Sequence, residues 1–179
     1  MLESECEKYG VNNLLSGKLY IRLTVKRKYN RILSMELKNA LKEENIQLDV
    51  EASDWVEAVR KAGELMVKLG LVLPSYIEGM IDVIKTLGPY AVIVPGVAMP
   101  HAHPDKGSIE VGMVLLRLKN PVNFGSHNDP VDFVIAFSAV DSKSHMGMLR
   151  GLALFLAKEG IFDKLRNAGT LAEMSLLIE

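Results

Sequence analysis

The sequence predicts an α/β fold, a mixed β-sheet flanked by helices on both faces. Three observations predict it. Two stretches, beginning near Trp55 and Pro74, repeat apolar residues at steps of three and four. Three runs, "YAVIV", "IEVGMVLLRL" and "VDFVIAFSAV", are short and apolar enough to be strands. The two kinds of segment are interspersed along one chain, so the helices can cover both faces of a single sheet. At 179 residues the chain is long enough for one domain with a sizeable core and too short for two full ones.

The elements follow in order. Residues 1–34 carry seven Lys/Arg against three Glu, a net of +4, which leaves −5 for the remainder. They read as a basic N-terminal appendage, with 35–179 as the domain. Within the appendage, Leu19, Ile21, Leu23 and Val25 alternate with polar residues, as an edge strand would. "MELKNALKEENI" starts a helix-like pattern at Met35. Ser53 or Asp54 can cap a helix carrying Trp55, Val59, Ala62, Met66 and Leu69, closed by Gly70. Pro74 opens a second helix with Ile77, Ile81, Ile84 and Leu87 on one face, stopped by Gly88-Pro89. "YAVIV" (90–94) suits a strand buried on both faces, and residues 109–118 and 131–140 are longer strands. Ser142 can cap a helix through Met148, Leu149, Leu152 and Leu156, and Thr170-x-x-Glu173 is a capping box for a last short helix.

Composition excludes several classes. The 49% hydrophobic and 24% charged fractions are those of a globular domain, and a formal net charge of −1 argues against a nucleic-acid protein. No apolar stretch reaches the roughly 20 residues that cross a bilayer, so no direct membrane insertion is expected. A single cysteine, Cys6, permits no internal disulfide and fits a reducing, cytoplasmic setting. There is no G-x-G-x-x-G or G-x-x-x-x-G-K-[ST] loop and no G-x-S-x-G elbow. Nucleotide binding and serine hydrolysis therefore lack support.

The chemistry centres on "MPHAHPDKG" (99–107), which holds two of the four histidines. His101-x-His103-x-Asp105 matches the first part of the H-x-H-x-D-H zinc signature of metallo-β-lactamase-like hydrolases, but Lys106 stands where a further histidine is needed. A metal-dependent hydrolase using His101 and His103, with His127 or His145 as third ligand, is the alternative reading. The other reading makes His101 a nucleophile. "VIVPGVAMPHAHPDKG" reads as a strand, a Pro-Gly turn, a return strand and a histidine at its exit, where Pro100 fixes the backbone. With Ser142 as cap, His145 falls in the first helical turn, where free N–H groups favour an anion. Ser142 and Ser144 of the same turn, with His103, are the candidate phosphate-binding residues. Asp129, Asp132 and Asp141 are read as caps, turns or solvated charges.

The stretches "LGPYAVIVPGVAMPHAHPDKG", "LKNPVNFG" and "NDPVDFVIAFSAVDSKSH" together resemble the enzyme IIA components of the bacterial sugar phosphotransferase system. The branch is the mannitol/fructose-type superfamily, ascorbate-type members. The resemblance runs from about Met35 to the C-terminus. It implies a mannitol-type IIA sandwich in which the histidine of the "PHA" motif, His101, is phosphorylated and His145 hydrogen-bonds the phosphate. It further implies a histidine-containing phosphocarrier protein as donor and a IIB cysteine as acceptor, serving a membrane IIC transporter for ascorbate or a related sugar or polyol, with no metal or organic cofactor. Members commonly carry arginine where this chain has His103, and arginine holds phosphate by charge at all pH values. The appendage has no counterpart in the family, so Met35 is the expected native start. A protein beginning at Met35 should keep its melting temperature within a few degrees and its phosphoryl-transfer rate unchanged. Insolubility or a large loss of stability would show that the strand at Leu19–Val25 belongs to the sheet.

Overall fold

The computed structural model describes residues 40–178. The expected appendage with its Leu19–Val25 strand, Cys6, and the first part of the helix expected from Met35 lie outside the described residues. The elements are β1 (Ile46–Val50), α1 (Trp55–Lys68), α2 (Ser75–Leu87), β2 (Val92–Val94), β3 (Val97–Ala98), β4 (Gly112–Val122), β5 (Val131–Ser138), α3 (Ser142–Leu156), α4 (Ile161–Asn167) and α5 (Leu171–Ile178). Short 3-10 turns occupy Glu43–Asn45 and Pro104–Lys106.

Among the described residues the strands form one mixed sheet in the order β1-β4-β5-β3-β2. β1 runs parallel to β4 and β3 parallel to β5, whereas β4/β5 and β2/β3 are antiparallel pairs. Side chains on a strand alternate between faces, and both faces of β4 and β5 are apolar. Val114, Leu116, Leu118, Val134 and Ala136 pack beneath α1 and α2. Met113, Leu115, Phe133, Ile135 and Phe137 pack beneath α3, α4 and α5. This is the expected mixed sheet with helices on both faces, and it explains why the central parts of β4 and β5, residues 112–116 and 133–137, read as unbroken apolar runs.

Local chemistry sets the helix ends. The Asp54 carboxylate accepts from Glu57 N at 2.9 Å, and the Glu57 carboxylate reaches back to Ser53 N at 2.7 Å. At α5, Glu173 N donates to Thr170 Oγ1 while Glu173 Oε2 accepts from Gly169 N, so the expected box forms one residue early on its return bond. Arg117, in β4, turns its guanidinium into the end of α4. It donates to the carbonyls of Leu165, Arg166 and Ala168 and pairs with Asp49 at 2.9 Å. The last carbonyls of α4 are thereby satisfied by a strand residue.

Three expectations about the elements require correction, and one helix is additional. The helix from Met35 does not continue to Ile46, because Ile46, Leu48 and Val50 are the inward positions of β1, with Ile46 only 3% exposed opposite Leu115. "YAVIV" is not buried on both faces: β2 is a three-residue edge strand whose Ile93 is 46% exposed, since only β3 flanks it. α4 was not anticipated; Gly160, with φ +65°, separates it from α3. Leu87 ends α2 exposed, while Ile77, Ile81 and Ile84 are buried as expected.

α1 and α2 meet at Gly63, where a Cβ would lie 2.7 Å from Ile77 Cγ1. Alanine would gain about 1 kcal/mol of helix propensity, but overpacking a closed core costs about 1–3 kcal/mol. Sterics should win, so Gly63→Ala is expected to lower stability in urea unfolding. A rise in stability would show that α2 yields freely.

Candidate active site

β3 and β5 run parallel, and the chain leaving the carboxyl end of each enters the site. In open α/β sheets ligands gather at such carboxyl ends. β3 leads through Met99 and Pro100 to His101; β5 leads through Asp141 to α3 and His145. A cleft of about 610 Å³ opens there, lined by His101, His103, Ser142 and His145, with Tyr90 and Phe137 among its walls.

The β2–β3 hairpin is the expected strand, Pro-Gly turn and return strand, with Gly96 at φ +83°. It delivers His101 half-buried. Its ring stacks on Phe137 at a centroid distance of 4.5 Å, meets the edge of Tyr90 at 5.8 Å, and lies 5.2 Å from the His145 ring. His101 Nδ1 is 2.9 Å from the carbonyl oxygen of Met99. A carbonyl can only accept, so Nδ1 carries the hydrogen and the lone pair of the neutral ring sits on Nε2. Burial, above all, lowers the His101 pKa from its ordinary 6.5; the Met99 bond opposes this and nearby His145 adds to it. Burial thus favours the neutral ring, and the Met99 bond leaves its lone pair on Nε2.

The residues around it divide. Asp141, not Ser142, is the cap of α3. Its carboxylate accepts from Ser144 N at 2.7 Å, and Ser144 Oγ lies 2.9 Å from the same oxygen. Those bonds lower the Asp141 pKa, the Ser144 N–H foremost. The anion position expected at this helix start is therefore partly filled by the protein's own carboxylate. Ser144 faces a neighbouring cleft beside Lys143 and Gly147, whereas Ser142 and His145 line the His101 cleft. His103 lies at the mouth and is mostly exposed; its Nδ1 is 3.2 Å from Asp105 Oδ2 and 3.4 Å from Asp105 N. As neutral imidazole it accepts from that N–H, and as imidazolium it donates to the carboxylate. Asp129 accepts from Phe124, Gly125 and Ser126 N–H groups, and Asp132 pairs with Arg166 at 2.8 Å, turn and surface roles as expected.

The zinc reading fails on geometry. Among the described residues no three His, Cys, Asp or Glu side chains are grouped to hold an ion. His127 precedes β5, at the opposite end of the sheet from His101. What sequence reasoning missed are the supports: Phe137 beneath His101, Tyr90 at its edge, and buried Tyr76 at the start of α2.

A family model described as "Phosphoenolpyruvate-dependent sugar phosphotransferase system, EIIA 2" matches residues 39–179. The chain belongs to this family. The ascorbate-specific PTS system EIIA component of Escherichia coli strain K12 is 40% identical over 149 residues, covering 81% of this chain and 96% of that one. The counterpart from Salmonella typhimurium is equally similar, with the same coverage. Among solved structures, the mannitol-specific cryptic phosphotransferase enzyme IIA CmtB of Escherichia coli superposes with a TM-score of 0.72 at 31% identity, covering 80% of this chain and 97% of that one. The complex of enzyme IIA for mannitol with phosphorylated enzyme IIB, also from Escherichia coli, gives 0.67 at 29%, covering 75% and 94%. EIIA components are phosphotransferase components that carry phosphate on histidine. As an EIIA, this chain is a phosphoryl carrier.

The lowered pKa has a checkable consequence. The unfolded His101 ring titrates near 6.5 and the folded ring below it. The unfolded state binds more protons in that window, so this contribution to stability is complete above about pH 6.5 and is lost as pH falls through the folded pKa. An NMR titration of the His101 ring should give a midpoint below 6.5. A midpoint above 6.5 would contradict the burial argument.

Proposed function

We propose that the chain accepts a phosphoryl group on His101 Nε2 from a histidine-containing phosphocarrier protein and passes it to a cysteine of a IIB partner. The carrying observation is the Nδ1–H bond to Met99, which leaves Nε2 as the nitrogen with a free lone pair. In the first step the P–N bond of the donor phosphohistidine breaks as the P–Nε2 bond forms, and the electron pair stays on the donor ring. The His101 ring becomes cationic, and its Nδ1–H bond to Met99 strengthens as that charge develops. In the second step the IIB thiolate takes the phosphoryl group and the lone pair returns to Nε2.

Such transfers pass through a loose transition state, so positioning and charge stabilisation do most of the work. His145 lies at the right side of the cleft to donate to a phosphoryl oxygen, with Ser142 and His103 further along the wall. Exposed Leu87 and Val140 line the cleft and give apolar surface there, as transient docking of two protein partners needs. The solved complex of a mannitol IIA with phosphorylated IIB supports the acceptor. The ascorbate-specific relatives support ascorbate or a related sugar or polyol as the transported compound, through a membrane IIC component. Among the described residues no helix is long and apolar enough to cross a membrane, which accords with a cytoplasmic carrier.

Incubated with phosphoenolpyruvate and the general relay proteins, the protein should gain one acid-labile, base-stable phosphate, and a folded His101→Ala variant none. His145→Ala should still be labelled, about 10²- to 10³-fold more slowly, the usual cost of one donor aimed at developing charge. Label retained by His101→Ala would overturn the assignment.

A further inference from the structure

The backbone that carries His101 has an unusual set of donors. Met99 O accepts from the His101 ring, Pro100 O from Phe137 N at 3.4 Å, His101 O from the Tyr90 hydroxyl at 3.2 Å, and Ala102 O from the Tyr76 hydroxyl at 3.0 Å. Four successive carbonyls therefore have named partners in a segment that belongs to no helix or strand.

Tyr76 does most within this set. It is 1% exposed, in the first turn of α2, on the far side of the loop from α3. Its hydroxyl oxygen accepts from Ala102 N at 3.1 Å, and its single hydrogen is shared between Ala102 O and Phe137 O, 3.0 and 3.1 Å away. A phenol has one donor and two acceptor positions, so this oxygen serves both backbone polar groups of Ala102, the residue after His101. It also binds the backbone of Phe137, the residue whose ring supports the face of His101. One buried oxygen thus joins the loop bearing the histidine to the strand end bearing its platform.

We infer that Tyr76 is a positioning residue for phosphoryl transfer, its hydroxyl fixing the His101 loop to the end of β5 so that Nε2 faces the cleft. The inference rests on the reading that His101 is the phosphoryl acceptor. The Tyr76 hydroxyl hydrogen is committed to backbone oxygens and acts on the reaction only through His101. The ring of Tyr76 fills core between α2 and the sheet, so Tyr76→Phe keeps that packing and removes the oxygen alone. Releasing the loop frees the His101 ring to turn, and a displacement near 1 Å costs roughly 10²-fold in a reaction that depends on alignment.

The test uses the full chain with the phosphorylated phosphocarrier protein as donor. In Tyr76→Phe the single-turnover transfer rate at saturating donor should fall about 10- to 100-fold while KM for the donor is unchanged. The ¹⁵N spectrum of the His101 ring should gain the second tautomer, with hydrogen on Nε2. A merely structural hydroxyl would lower stability without moving either reading, and that result overturns the inference. Should Tyr76→Phe fail to fold, 3,5-difluorotyrosine at position 76 keeps the shape and the hydroxyl while altering its hydrogen-bond strength. The transfer rate and the His101 ring signals should then shift together, and no shift in either overturns the inference. Labelling of His101→Ala would instead remove the reading on which it rests.

Discussion

The hydrogen bond from His101 Nδ1 to the Met99 carbonyl is the constraint on which the rest of the site depends. It decides which nitrogen is nucleophilic, and it operates only if the carbonyl of Met99 is itself immobile. Met99 N donates to Ala91 O at 2.7 Å, so that peptide is held from the strand side as well. The hairpin β2–β3, the pairing of β3 with β5, and the buried Met99 side chain all serve this placement. Were the loop free, a histidine in water would favour neither face, and alignment would have to be recovered within each encounter with a partner.

Burial then does two things with opposite sign. It removes water from one side of the ring, which favours the neutral, nucleophilic form and lowers the pKa. On the proposed phosphorylation of His101 it would also withhold solvent from the cation formed. The stacked Phe137 ring and the Met99 carbonyl stand where water would have been, and the carbonyl dipole answers the new charge at fixed geometry. A more deeply buried histidine would be a poorer carrier, because its partners could not reach Nε2. The half-buried placement at the end of a sheet reconciles access with preorganisation.

Much of this was legible in the sequence because it was local. Periodicity located α1 and α2, apolar runs located β4 and β5, and the Pro-Gly pair within "VIVPGVAMPHAH" located the hairpin that presents His101. What escaped notice depended on pairing across the chain. The helix-like pattern from Met35 runs as far as Ile46, and residues 47–50 carry no assignment in it, although Ile46, Leu48 and Val50 alternate with Gln47 and Asp49 as a strand would. Five residues are a short signal, and pairing with β4 fixes it. The edge position of β2 likewise follows from strand order, which apolar composition does not encode. At the site, motifs single out His101 and His145, whose ring centroids the fold brings to 5.2 Å. The contacts of Tyr76 and Phe137 are not legible in the same way, since each lies in an ordinary apolar pattern and meets its partners only across 26 to 61 residues of chain.

The charge of the cleft is the last feature that the relay logic explains. An EIIA must release its phosphoryl group as readily as it takes it, so the phosphorylated state cannot sit in a deep free-energy well. Arginine at position 103 would add a permanent charge, whereas His103 supplies one only when protonated. Asp141, anionic and held by the first turn of α3, brings negative charge to the same wall as His145. It lies at the helix start that would otherwise attract phosphate, and like charges oppose each other. On the proposed relay, donors on His145 and Ser142 would orient the phosphoryl oxygens and the carboxylate would limit how tightly they are held. That balance suits a carrier, which must bind the transferring group well enough to align it and weakly enough to give it up.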